Sequence, residues 1–190
     1  MKLGILGSGR GSNFVAIAEA ISAKKIHAEI VLVASDHPNA YILTEAKKRD
    51  LPTFVCLPSQ FKTKLEPEIE AQLAEKLLQA GAEWVVLAGY MRVVKKPLLE
   101  KFPCRIVNIH PSLLPAFPGL RAWEQALKAG VKETGCTVHW VDEGVDTGPI
   151  IAQTKVPVCV GDTPETLHQR IQKAEHQLFP EVLSQLATSS

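Results

Sequence analysis

Lys2-Leu3-Gly4-Ile5-Leu6, then Gly7-Ser8-Gly9-Arg10-Gly11-Ser12-Asn13, then the run from Phe14 to Ala23 form the stretch whose reading decides the fold. The first piece is a short apolar strand and the second a glycine-rich turn. The third carries apolar residues at helical spacing, with Ser12 or Asn13 placed to cap it. A strand that turns through glycines straight into a helix is the opening unit of a parallel α/β sheet.

Outward from that unit the alternation continues. Glu29 to Ala34 reads as a second strand and ends in Ser35-Asp36-His37-Pro38; Tyr41 to Arg49 reads as helix and Thr53 to Leu57 as a third strand. Lys64 to Ala80 is a longer amphipathic helix closed by Gly81, Trp84 to Leu87 a fourth strand, and Ile106 to Ile109 a fifth. Ala122 to Ala129 is a helix stopped by Gly130. The pattern then changes: Thr137 to Val141 and Ile150 to Val158 read as consecutive strands joined by the Asp142–Pro149 loop, which adds an antiparallel edge. Thr163 to Leu186 is a terminal helix expected to bend or break near Pro180. The reading is one domain, residues 1–190, of α/β class: a mostly parallel twisted sheet with right-handed crossovers and helices on both faces.

The fifth strand carries the chemistry. In Arg105-Ile106-Val107-Asn108-Ile109-His110-Pro111-Ser112-Leu113-Leu114-Pro115 side chains alternate faces, so Asn108 and His110 point the same way. Pro111 holds His110 extended and stops the strand. An amide donor and an imidazole thus stand together at the carboxyl end of a core strand, where open α/β sheets place their sites. Asp146, in the Gly- and Pro-bounded loop Val141-Asp142-Glu143-Gly144-Val145-Asp146-Thr147-Gly148-Pro149, supplies a carboxylate to orient or charge the ring. Such parts stabilise an oxyanion and move a proton. A lone histidine is usually a satisfied core residue; His139, alternating with apolar neighbours, is read as packing or as a support to the site, and His27, His37 and His168 as surface groups.

Composition bounds the rest. At 46% hydrophobic and 22% charged over 190 residues the chain has the make-up of an ordinary soluble protein. Lys+Arg number 21 against 20 Asp+Glu, so no global field draws nucleic acid or an acidic membrane. Cys56, Cys104, Cys136 and Cys159 form no C-x-x-C pair, and reduced core thiols are expected rather than zinc. No signal-like or membrane-spanning apolar run is present, and a cytoplasmic location is expected.

The glycine turn offers helix-terminal amides to an anion. Its spacing is G-x-G-x-G followed by Ser-Asn rather than the dinucleotide G-x-G-x-x-G, although Asp36 stands roughly where a ribose-binding carboxylate would in a dinucleotide site. Ser12 and Asn13 suit a terminal phosphate monoester; a ligand-free tight turn is the plain alternative.

Together these segments resemble the glycinamide ribonucleotide (phosphoribosylglycinamide) formyltransferase family of 10-formyltetrahydrofolate-dependent enzymes. The resemblance runs from Gly7–Asn13 through Leu87-Ala88-Gly89-Tyr90-Met91-Arg92, Asn108–Pro118 and Gly135-Cys136-Thr137-Val138-His139 to Glu175-His176-Gln177-Leu178-Phe179-Pro180. It implies a Rossmann-like formyltransferase fold and a cis Leu114–Pro115 bond. It implies catalysis by Asn108, His110 and Asp146, with Asp146 raising the imidazole pKa and keeping the ring charged. By position it assigns the substrate phosphate to Gly11, Ser12 and Asn13, the ribose to Glu175 and the glycinamide end to Met91 and Pro111. The folate falls to Arg92, Val93 and Val94, largely through backbone groups, to Asn108 and to Asp142, Glu143, Gly144 and Asp146, with Lys64 at its glutamate tail. The implied cosubstrate is 10-formyltetrahydrofolate with no metal, and the implied partners are small molecules, not nucleic acid or membrane, for a monomer or homodimer. Arg121 and Trp123 stand where many relatives carry histidines, and Asp36 where Asn is frequent. A formyltetrahydrofolate hydrolase, a formyltransferase for another amine and a non-catalytic nucleotide-binding module are the alternatives.

Overall fold

A computed structural model describes residues 1–56 and 60–188. The described residues form β1 (Lys2–Leu6), α1 (Ser12–Ser22), β2 (Glu29–Ser35), α2 (Tyr41–Lys47), β3 (Thr53–Val55), α3 (Pro67–Gln79), β4 (Trp84–Leu87), α4 (Lys96–Lys101), β5 (Ile106–His110), α5 (Ala122–Ala129), β6 (Glu133–Trp140), β7 (Ile150–Pro157) and α6 (Pro164–Thr188). The expected end of the third strand at Leu57 lies outside the described residues. One sheet has the order β3-β2-β1-β4-β5-β6-β7. The first five of these strands pair in parallel, and β6 and β7 complete the sheet antiparallel.

Strand alternation sorts the core into two layers. Leu3, Ile5, Val86, Val107 and Ile109 pack with Phe14 and Ile17 of α1 and with Phe179 and Leu183 of α6. Leu6, Val85, Leu87 and Ile106 pack on the opposite face with Leu73 and Leu77 of α3 and Leu98 of α4. Asn108 and His110 share the parity of Ile106 and so stand on that second face, past the end of the apolar run.

Three details differ from the sequence reading. α4 was not expected; Pro97 in its first turn and buried Leu98 and Phe102 were its signals, hidden by its length of 6 residues. β6 begins at Glu133 rather than Thr137, because buried Thr134 and Gly135 pair with Val156 and Lys155 of β7 despite the poor strand propensity of glycine. α6 runs unbroken through Pro180. Buried Leu178 and Phe179 before the proline, and Val182 and Leu183 after it, hold both halves against the sheet layer.

At the start of α1, Gly11 takes φ 75°, and a Cβ there would lie 2.8 Å from Ile42 Cβ. Both a left-handed backbone and a close approach therefore require glycine. The Leu114–Pro115 peptide is cis.

Candidate active site

The strand order places the first glycine turn at a switch point, since β1 lies between β2 and β4 and the chain leaves it to opposite sides. The turn is tied to the segment after β4: Ser8 N–H donates to Gly89 O at 3.0 Å and Met91 N–H to Ser8 Oγ at 2.9 Å. Asn13, in the first turn of α1, donates through Nδ2 to Glu175 Oε2 of α6 at 2.9 Å. Turn, Met91 and Glu175 are thereby gathered at one end of the sheet. Burial pushes the Glu175 carboxyl up to about 7, against the lowering effect of the Asn13 bond.

The second group lies at the end of β5. Its antiparallel partner sets Asn108 opposite His139 and His110 opposite Thr137, so all four side chains share a face. Asn108 Nδ2 lies 3.0 Å from His139 Nε2, and His139 Nδ1 lies 2.7 Å from Trp140 O. The ring donates from Nδ1 to that carbonyl and meets the amide at Nε2, which anchors both side chains. His110 Nδ1 lies 3.2 Å from Asp146 Oδ2, and its Nε2 lies 2.9 Å from Phe117 O. Gly119 N–H donates to the same Asp146 oxygen at 2.8 Å, and His139 Nε2 is 3.6 Å from Asp146 Oδ1. Asp146 itself has φ 55°.

Both ring nitrogens of His110 therefore face acceptors, which a doubly protonated ring satisfies. Burial opposes this and prevails: the His110 pKa lies below its ordinary 6.5 in spite of the upward pull of Asp146 and Phe117 O. The expectation of a ring held charged is corrected accordingly: 5% exposure leaves too little water around the cation. Burial also pushes the Asp146 carboxyl up, but His139, His110 and the Gly119 amide outweigh it and hold it below the ordinary value, so Asp146 is ionised at neutral pH.

The remaining expected positions fall as follows. Met91 is exposed, Pro111 half-buried and Ser12 half-buried beside buried Gly11. The Arg92 side chain donates from Nε to Asp36 Oδ2 at 2.6 Å and from Nη1 to Phe61 O. Asp36, buried and ion-paired, is thus occupied. Val93 N–H bonds Thr63 O, and the Val94 side chain is in the core. In the loop before β7, Asp142 Oδ1 accepts from Gly144 N–H and Thr147 Oγ1, and Lys95 Nζ donates to Glu143 O at 2.8 Å. Lys64 is exposed, with Nζ 4.7 Å from the Phe61 ring centroid. His168 departs from its surface reading: its ring stacks on Trp123 at 3.7 Å between centroids. Cys56 and Cys136 are buried thiols pushed up to about 12 by burial, whereas Cys104 and Cys159 are exposed. Sequence reasoning missed the backbone of Phe117 and Gly119, since main-chain groups leave no residue-type signal.

A cavity of about 1160 Å³ lies between α1, α2 and α6 and meets the glycine turn at Arg10 and Ser12; none of Asn108, His110 or Asp146 lines it. Among the described residues no group of three or more His, Cys, Asp or Glu could hold a metal ion, and no helix is long and apolar enough to cross a membrane.

Comparison with known proteins adds the following. The Formyl transferase family model matches residues 1–183. The chain is 44% identical over 185 residues to phosphoribosylglycinamide formyltransferase of Bacillus subtilis (strain 168), covering 97% of this chain and 94% of that one. It is 46% identical over its whole length to the trifunctional purine biosynthetic protein adenosine-3 of Drosophila pseudoobscura pseudoobscura, of which it spans 14%. A crystal structure of glycinamide ribonucleotide transformylase 1 from Symbiobacterium toebii superposes with a TM-score of 0.95 at 46% identity, covering 100% of this chain and 88% of that one.

Proposed function

The chain belongs to the formyl transferase family, and from that membership we propose that residues 1–190 act as one domain transferring the formyl group of 10-formyltetrahydrofolate to the amine of 5'-phosphoribosylglycinamide, giving the N-formyl product and tetrahydrofolate. The observation that carries this reading is the assembly at the end of β5: Asn108 oriented by His139, beside His110 at 3.2 Å from Asp146. The amine nitrogen attacks the formyl carbon, and the carbonyl π pair moves to oxygen. Asn108 donates a hydrogen bond to that oxyanion. His110, neutral because it is buried, takes the proton that the attacking nitrogen sheds, and Asp146 stabilises the resulting imidazolium. As the bond from the formyl carbon to N10 of the folate breaks, His110 returns the proton to N10. All atoms and charges balance without a metal or redox partner.

In this reading Gly11, Ser12 and Asn13 take the phosphate at the start of α1, Glu175 the ribose, and Met91 with Pro111 the glycinamide. The backbone of Arg92, Val93 and Val94 and the 142–146 loop take the folate, with Lys64 toward its tail. Asp36 is consumed by Arg92, which speaks against a dinucleotide-binding module. A cytoplasmic place and a monomeric or homodimeric state complete the proposal.

The test is a spectrophotometric assay of folate deformylation with and without the ribonucleotide. Turnover is expected only with it, and His110→Ala is expected to lose a factor of about 10² to 10⁴ in kcat. Formate release without the ribonucleotide would instead establish the hydrolase. No turnover from folded protein with either would refute the assignment.

A further inference from the structure

Thr137 faces His110 directly across the β5–β6 ladder, and both its neighbours and its hydroxyl are fully buried. A threonine hydroxyl has one proton to give and two lone pairs to offer. Here all three are used. Oγ1 donates to Ser112 O at 2.6 Å, accepts from Leu114 N–H at 3.1 Å and accepts from Gln153 Nε2 at 2.9 Å. Gln153 also donates to Leu114 O at 2.9 Å, so β6 and β7 together grip the segment that follows His110. Ser112, itself fully buried, carries the grip onward: its Oγ donates to Ala116 O and lies 3.3 Å from Phe117 O.

That segment then supplies the two main-chain contacts that hold the His110–Asp146 pair. Phe117 offers its carbonyl to His110 Nε2, and Gly119 its amide to Asp146 Oδ2. Phe117 adopts φ 56°, a conformation unfavourable for a non-glycine residue and one that persists only when its surroundings enforce it. The conformation aims the carbonyl at the imidazole. The hydroxyl of Thr137 is the buried side-chain group on which this enforcement converges.

We propose that Thr137 is a positioning residue for formyl transfer: through Ser112, Leu114 and Gln153 it clamps the 111–119 segment so that Phe117 O and Gly119 N–H fix the geometry of the His110–Asp146 pair. Thr137 touches neither substrate nor reacting atoms. This inference rests on the reading of His110 and Asp146 as the proton-handling pair.

The experiment compares the full chain with Thr137→Val, Thr137→Ser and Gln153→Ala. Valine keeps the shape but strands a buried amide, a buried carbonyl and a side-chain donor, whereas serine keeps all three bonds. Two readouts are taken on each folded variant: steady-state kinetics with ribonucleotide and folate, and NMR titration of the His110 ring. Thr137→Val is expected to lose about tenfold to a hundredfold in kcat, with the KM for the ribonucleotide within about twofold of the parent. Its His110 midpoint moves, since the Phe117 carbonyl no longer faces Nε2. Thr137→Ser restores both quantities, and Gln153→Ala falls between. A folded Thr137→Val with the parent kcat and an unchanged His110 midpoint overturns the proposal. So does a Thr137→Ser as impaired as the valine variant. If Thr137→Val is too unstable to measure, Gln153→Ala decides by the same two readouts. The titration needs no turnover, so failure of the formyl-transfer reading, seen as an inactive parent protein, is separable from failure of the clamp.

Discussion

At 3.2 Å from the Asp146 carboxylate and 2.9 Å from the Phe117 carbonyl, the His110 ring in water would hold its proton above the ordinary value; buried, it releases it below 6.5. The sign of the pH dependence follows. In the proposed reaction the neutral ring accepts the amine's proton, so kcat/KM is expected to rise with pH through the His110 pKa, with the midpoint of the acidic limb below 6.5. Asp146→Asn removes a charge that raises the His110 pKa. The limb is then expected at still lower pH, with turnover down by a factor of about 10² or more because the imidazolium loses its counter-ion. A pH–rate profile of both proteins checks this, and an acidic limb above 6.5 in the parent would remove burial as the dominant influence. Residue identity in the sequence was enough to gather Asn108, His110 and Asp146, because strand parity and two prolines define where they stand. It could not give the ring's charge, which depends on how much of the surrounding volume is protein rather than water.

The elements show the same division. Strands β1, β2, β4 and β5 were legible as apolar runs bounded by turn residues, and their order follows from alternation with helices. What propensity misjudged were elements fixed by tertiary contact: α4, too short to display a period, the first half of β6, and the continuity of α6. Pro180 cannot donate a hydrogen bond to the carbonyl of His176, and its ring crowds that turn. Packing of Phe179, Val182 and Leu183 keeps the helix intact regardless. Replacing Pro180 with alanine should therefore stabilise the protein by about 1 to 3 kcal/mol, restoring a bond without disturbing the buried row. Urea unfolding with the midpoint raised at unchanged m-value is the expected result; a lowered midpoint would show that the proline ring itself contributes packing along the α1–α6 cavity.

Across the whole molecule, the Asn13–Glu175 bond joins the first helix to the last. Its carboxyl has a folded pKa near 7 against 4.5 for the free group. A raised folded value means that the stabilisation is complete below about 4.5 and is lost as pH rises through about 7. Asp146 and His110, both lowered, act in the opposite sense and remove stability as pH falls. Stability should accordingly peak between these limits. Glu175→Gln keeps an acceptor for Asn13 and adds a donor for its unpartnered Oδ1. The variant should be more stable than the parent at pH 8, by up to about 3 kcal/mol, and little different at pH 4. Denaturation at the two pH values gives the answer; equal differences at both would mean that the carboxyl titrates alike in the folded and unfolded protein. No sequence pattern could have announced this coupling, because the two residues are far apart in the chain and Glu175 reads as one more charge on an amphipathic helix.

The reversal of strand direction at β5 has a consequence for how such a protein can change. Asn108, His110, Asp146 and their supports at His139, Thr137, Phe117 and Gly119 all come from one uninterrupted stretch running from β5 to the loop before β7, whereas the glycine turn and Glu175 come from the two ends of the chain. Inheritance can therefore act on the two halves separately. Under the proposed function, mutation near either terminus can retune the grip on the phosphoribosyl group while the middle of the gene, which would encode the transfer step, is copied forward unaltered.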